Sequence, residues 1–139
     1  MRTVLQFKKG GASRYISHLD LMRAMNRAIL RSQISVQWSQ GFHPHILTSY
    51  AQALGLGYLS ESEYMELFLE KEATPAQAKE ALNRMLPDGL EIVGAWPLSE
   101  DYPTLMASVR AAGWRVKLAA PVNDALFSSF LSLLEREKV

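Results

Sequence analysis

The alternation of apolar and polar residues predicts four strands in the first 98 residues. Val4 and Gln6 fall on one face of an extended segment, whereas Leu5 and Phe7 fall on the other. The same two-residue period predicts three further strands, at residues 34–38, 64–69 and 90–96. Between them, residues 46–54 are expected to be irregular or loosely extended, and residues 60–63 are expected to form a solvated turn.

A 3.6-residue period predicts a helix over residues 17–32. Ser17 is followed three residues later by Asp20, which is the spacing of a capping box at a helix start. The apolar face of this helix carries Leu19, Met22, Met25, Ala28 and Ile29. A second helix is predicted to begin after Thr74, with Pro75 at its first position, and to end before residues 87–89.

The resulting order is strand, helix, strand, strand, helix, strand. This order is typical of the α+β ferredoxin-like βαββαβ unit, in which two helices pack on one face of a four-stranded antiparallel sheet. We therefore predict a ferredoxin-like domain at residues 1–98. Residues 99–139 are interpreted as a linker, a strand between residues 104 and 118 and a helix after Pro121, which together begin a second, truncated unit.

Composition narrows the classes of function and partner. Fifteen basic and fourteen acidic residues give a net charge of +1, so any nucleic-acid binding must come from a local patch. The absence of cysteine excludes disulfides, thiolate zinc sites and iron–sulfur clusters built from this chain. No apolar run approaches the roughly 20 residues of a membrane span, and no signal peptide is apparent. We expect a soluble, cytoplasmic protein.

Arginines line one polar stripe of the first helix. Arg23, Arg27 and Arg31 follow Asp20 at steps of three and four, and Arg14 lies just upstream. Guanidinium groups bind phosphate oxygens bidentately, so this stripe is a candidate phosphate-binding surface. A solvated helix face partly neutralised by Asp20 is the alternative interpretation.

The loop at residues 39–45 carries the second group of candidate residues. His43 and His45 flank Pro44, and a His-x-His pair binds zinc or copper when a third ligand such as His18 completes the site. The commoner role of such histidines is to bond the backbone or to contact a ligand phosphate. Phe42 is suited to stacking on a base or to covering one end of a core.

Catalysis is a further possibility at the helix start. His18 would be held neutral there by the helix dipole and could act as a general base. No paired nucleophile is visible, so no catalytic residue, metal or cofactor is predicted. Whether the chain is an enzyme stays open.

Two segments together resemble the radical-SAM-linked protein family. They are Arg-Tyr-Ile-Ser-His-Leu-Asp-Leu-Met-Arg at 14–23 and Ser-Gln-Gly-Phe-His-Pro-His at 39–45. Residues 54–57 and 60–64 add to the resemblance. This is a bacterial domain of unknown function found beside, or fused to, radical S-adenosylmethionine proteins. The resemblance implies a radical-SAM partner, although His43 stands where the family often has Asn and Leu47 where it often has a base. A more distant, fold-level similarity to CRISPR repeat-processing endonucleases suggests RNA as a ligand.

The leading hypothesis is an accessory domain that binds RNA or docks to a radical-SAM enzyme acting on RNA. The candidate ligand- or phosphate-binding residues are Arg14, His18, Arg23, Arg27, Phe42, His43 and His45. One alternative is an RNA-processing or metal-assisted hydrolase that uses the histidines. The other is a pure protein-interaction domain. A joint site requires the fold to bring the loop at 39–45 beside the helix start.

Overall fold

A computed structural model describes residues 1–119, 121 and 123–136, and these form a mixed α+β structure. Its sheet contains the strands β1 Arg2–Lys9, β2 Thr48–Tyr50, β3 Ser60–Phe68 and β4 Leu90–Pro97. The α-helices in these residues are α1 His18–Ser32, α2 Pro75–Asn83, α3 Leu105–Ser108 and α4 Asp124–Arg136. A 3₁₀ turn at Gly11–Tyr15 joins β1 to α1.

The four strands form an open antiparallel sheet in the order β2-β3-β1-β4. Leu5 and Phe7 of β1 point to the face on which α1 and α2 pack, as the alternation predicted. Buried residues of α1, such as Leu21 and Met25, and Leu82 of α2 complete this core. The predicted α+β class and antiparallel sheet are confirmed.

Helices α1 and α2 begin where their capping residues predicted. The Asp20 amide donates to Ser17 Oγ over 3.1 Å, so Ser17 caps α1. The amide of Gln77 donates to Thr74 Oγ1 over 3.3 Å, and the Gln77 side chain accepts in return from the Thr74 amide. The helix predicted after Pro121 is also present, as α4.

The other face of the sheet is covered near one end by the chain that follows β4. Arg2 and Glu66 form an ion pair on this face, and both are buried. The Arg2 guanidinium also donates to the carbonyl oxygens of residues 99, 100, 102 and 103. Leu105 of α3 packs on Val4 beside them. Residues 99–105 are therefore attached to the sheet, while the division into units at residue 98 stays a prediction.

Leu19, predicted on the apolar face of α1, is more than half exposed, and Leu21 is buried in its place. Three predictions of strands and turns were also wrong. Residues 34–38 do not form a strand, because Val36 and Trp38 each make only an isolated bridge, to Leu69 and Ile46 respectively, and β2 takes the edge of the sheet instead. Residues 60–63 belong to β3 rather than to a turn, since they pair with the end of β1. The strand expected within residues 104–118 is also missing: α3 occupies 105–108, and residues 109–119 have no regular structure.

Candidate functional site

Helix α1 lies beside the segment that runs from Val36 to Tyr50, and His18 and the loop at 39–45 are at its opposite ends. At its start, the His18 ring meets the Tyr50 ring edge-on, with 5.3 Å between centroids. At its other end, Leu30 lines a groove with Val36 and Trp38, from which the loop at 39–45 projects. Residues 18 and 30 are roughly 18 Å apart along a helix. The structure therefore does not place this loop beside Arg14 and His18.

The arginine stripe of α1 is divided between free and occupied side chains. Arg23 pairs with Asp20 over 3.1 Å, and both side chains remain more than half exposed. Arg27 is exposed and makes no hydrogen bond or ion pair with the described residues. Arg31 donates to the Met85 carbonyl oxygen over 2.8 Å, so it joins α1 to the end of α2. Arg23 and Arg27 are thus the residues of the stripe that a ligand can reach.

Asp20 places a negative charge in the first turn of α1, and two neighbours bind its carboxylate. The hydrogen bond from Ser17 Oγ, and after it the one from Arg23, hold the pKa of Asp20 below its usual value. Its carboxylate is therefore ionised and engaged by two neighbours on the helix. Arg27 lowers the pKa of Asp20 only through its more distant charge.

The loop at 39–45 is closed by Ser39 and His45. The Ser39 amide donates to the His45 carbonyl oxygen over 2.8 Å, and the His45 amide donates to Ser39 Oγ over 3.0 Å. Ser39 Oγ also lies 2.8 Å from His45 Nδ1, so it orients the imidazole ring. Within this frame Phe42 is fully exposed, and His43 is exposed beside it. The loop presents an aromatic ring to solvent instead of burying it.

The start of α1 holds a cluster that we call the α1-start cluster, formed by Lys9, Arg14, His18 and Tyr50. Lys9 is completely buried, and its Nζ donates to the carbonyl oxygens of Ile16 and Gly55 over 3.0 and 3.1 Å. Burial lowers the pKa of Lys9, against the opposite influence of Glu63. These bonds hold the loop that contains Gly55 against the start of α1.

Several polar atoms of the α1-start cluster are buried without a hydrogen-bond partner in the described residues. They are Nε of Arg14, Nδ1 of His18 and the phenol oxygen of Tyr50. Burial raises the pKa of Tyr50, so its phenol stays protonated and able to donate at neutral pH. A buried polar atom without a partner costs free energy, so each of these atoms calls for an explanation.

Sequence reasoning selected Arg14 and His18 but missed the other two members of this cluster. Lys9 was not selected, although it continues the period of Leu5 and Phe7 on the core face of β1. Tyr50 lies in β2, which the pattern did not predict. A stricter reading of the alternation in β1 would have found Lys9, but no local signal links Tyr50 to His18.

The profile of a protein family described as an uncharacterized protein conserved in bacteria, DUF2344, matches residues 2–139. The chain belongs to the DUF2344 family. No curated protein matches it. The candidate residues at both ends of α1 therefore lie inside the region that defines the family.

In this DUF2344 chain the three histidines do not converge. His18 is separated from His43 and His45 by the length of α1, as described above. Among the described residues, no group of three or more His, Cys, Asp or Glu side chains is placed to hold a metal ion. Nor does any helix of the described residues have the length and apolar character needed to cross a membrane. The candidate residues therefore offer a ligand cationic side chains, aromatic rings and backbone hydrogen-bond donors.

Proposed function

We propose that this chain is a non-catalytic RNA-binding accessory domain, built on a ferredoxin-like unit at residues 1–98. The sheet order β2-β3-β1-β4, with α1 and α2 on one face, supports that fold assignment. The observation that carries the RNA proposal is that two arginines on α1 and the ring of Phe42 are all exposed to solvent. Cations and a free aromatic ring are the two components of sequence-tolerant binding to single-stranded nucleic acid.

The spacing of these residues suits an extended ligand. Arg23 and Arg27 are one helical turn apart, so their guanidinium groups follow one line on the solvent face of α1. Phe42 is exposed in the loop that follows Trp38, and Trp38 lines the groove at the far end of the same helix. A single strand that places its phosphates on α1 can carry a base to Phe42, whereas a small molecule spans only one of the two places.

Replacing both Arg23 and Arg27 with alanine is expected to weaken binding to a short single-stranded RNA by roughly tenfold or more at moderate salt. Each lost phosphate contact removes about 0.7 from the slope of log affinity against log salt, so the double variant loses about 1.4. Fluorescence anisotropy at several salt concentrations measures both quantities. Arg31 is left unchanged because its bond to Met85 is structural.

The matched control removes two lysines outside this surface, Lys8 and Lys71, which are also exposed. It loses the same charge, and its affinity and salt slope are expected to stay near those of the unmodified protein. A Phe42→Ala variant tests stacking separately and should lose roughly tenfold in affinity without a change in the salt slope. Equal affinity and slope in all variants would contradict the proposal. Cleavage of the RNA during the measurement would favour the hydrolase alternative.

Docking to a radical-SAM protein is the second candidate function, and a groove with two exposed hydrophobic side chains favours it. The groove has a volume of about 370 Å³ and lies between the end of α1 and residues 33–38. Leu30 and Trp38 line it, and each is about half exposed. Exposed aromatic and aliphatic side chains around a concave surface are characteristic of protein interfaces. The identity of the partner comes from the family resemblance alone.

A Leu30→Ser variant is expected to reduce co-purification with a co-expressed radical-SAM protein at least severalfold after nuclease treatment. Leu19→Ser is the matched control, since Leu19 is equally exposed at the opposite end of α1. Docking through the groove requires that only the Leu30 variant lose the partner. Loss of the partner on nuclease treatment of the unmodified protein would show that RNA bridges the two.

A further inference from the structure

The α1-start cluster concentrates positive charge at a helix N-terminus. Lys9 and Arg14 contribute two cations, and neither forms an ion pair within the described part of the chain. Two carboxylates lie near these cations: Asp20 bonds Ser17 and Arg23, and Glu63, whose charge acts on Lys9, accepts from the Ser60 hydroxyl over 2.7 Å. The positive end of the α1 dipole adds to this field.

Hydrogen-bond donors in the cluster exceed the acceptors available to them. The Ser17 cap accepts from Asp20, and the backbone amides of His18 and Leu19 at the start of α1 have no acceptor within the described residues. The Arg14 side chain makes no hydrogen bond there, and its guanidinium lies 5.1 Å from the centre of the Tyr15 ring. These donors are free to bind an acceptor with negative charge.

Tyr50 provides an independent indication that this region binds a polar group. The residue is nine-tenths buried, its phenol oxygen has no partner, and its ring contacts that of His18. A phenylalanine would pack there without the cost of an unpaired hydroxyl. The hydroxyl and the unpartnered Nδ1 of His18 therefore come from neighbouring rings at the same helix start.

We propose that the α1-start cluster is a binding site for a phosphate group, with Arg14 and His18 as contacting residues and Tyr50 as a further donor. A phosphate supplies several charged acceptor oxygens, which matches a site rich in donors and cations. Lys9 acts as a positioning residue, because its bonds to Ile16 and Gly55 fix the two segments that border the site. The proposed contacting residues differ from Arg23 and Arg27, so the proposal does not depend on the proposed function.

Titration with inorganic phosphate, followed by NMR of the histidine side chains, tests the proposal. The His18 resonances are expected to shift and saturate, whereas those of His43 and His45 at the other end of α1 report only general salt effects. Arg14→Gln should weaken phosphate binding roughly tenfold or more, and Tyr50→Phe about fivefold. Tyr50→Phe keeps the ring and its packing, so this variant separates the hydroxyl from the fold.

A nucleoside monophosphate and a short single-stranded RNA form the other arms of the titration. Tighter binding of the RNA at His18 assigns the site to a nucleic-acid phosphate, and equal binding of all three assigns it to free phosphate or a small ester. The Arg23→Ala/Arg27→Ala double variant should keep the His18 response even if RNA affinity falls. Absence of a saturable His18 shift with every probe would overturn the proposal and leave a buried water as the partner of Tyr50.

Discussion

Replacing Phe7 with alanine is expected to lower the free energy of unfolding by about 3–5 kcal/mol. Phe7 is almost completely buried in the middle of β1, between the sheet and the two helices that pack on it. Its ring also meets Tyr50 edge-on at 6.4 Å, so the substitution removes the surface on which Tyr50 and then His18 are placed. Urea denaturation followed by circular dichroism measures the loss.

Phe42→Ala is the matched control, since it removes the same ring from a fully exposed position. Its unfolding free energy should stay within about 0.5 kcal/mol of the unmodified protein. Phe7→Leu fills part of the cavity and should lose only about 1–2 kcal/mol. Similar losses for Phe7→Ala and Phe42→Ala would show that the core is not organised around β1 as described.

Gly89→Ala is expected to cost about 2–4 kcal/mol, which is large for the addition of one methyl group. Gly89 has a φ of +89°, and a Cβ there would collide with the Gly10 carbonyl oxygen and lie 2.9 Å from Ser13 Oγ. The Gly89 carbonyl accepts from the Gly10 amide, and the Asp88 carbonyl accepts from Ser13 Oγ. Residues 88 and 89 therefore hold the 3₁₀ turn that carries Arg14.

Gly11→Ala separates the two contributions to this cost. Gly11 also has a positive φ, of +50°, but a Cβ there meets no atom within 4 Å. It should lose about 1 kcal/mol, the backbone penalty alone. Thermal or urea unfolding of the two variants gives the difference, and equal losses would contradict a steric role for Gly89. We also expect Gly89→Ala, but not Gly11→Ala, to weaken the response of His18 to phosphate.

Local sequence pattern predicted the features of this protein that depend on residues a few positions apart. Ser17 with Asp20 and Thr74 with Gln77 marked the helix starts, because a cap satisfies backbone donors within its own turn. The alternation in β1 separated its core face from its outer face, because neighbouring residues of a strand point to opposite sides. The pattern failed at residues 34–38, because these residues alternate as a strand does but make only isolated bridges.

Strand pairing is a contact between distant segments, so it was decided by tertiary structure. β3 pairs with Thr48–Tyr50 at the sheet edge, although these residues have the weaker local pattern. Residues 60–63, polar enough for a turn, are extended because the end of β1 lies beside them. The same pairing brings Tyr50 to His18, which no local spacing indicates.

The sequence by itself determined the α+β class, the helix starts and the candidate residues Arg14, His18, Arg23, Arg27, Phe42, His43 and His45. Tertiary structure alone decided which of them share a surface. It placed the loop at 39–45 at the far end of α1 from His18, bound Arg31 to Met85 and buried Lys9 beside the helix start. The physical reason is that caps and periodicity act within one or two turns, whereas a site depends on how remote segments pack.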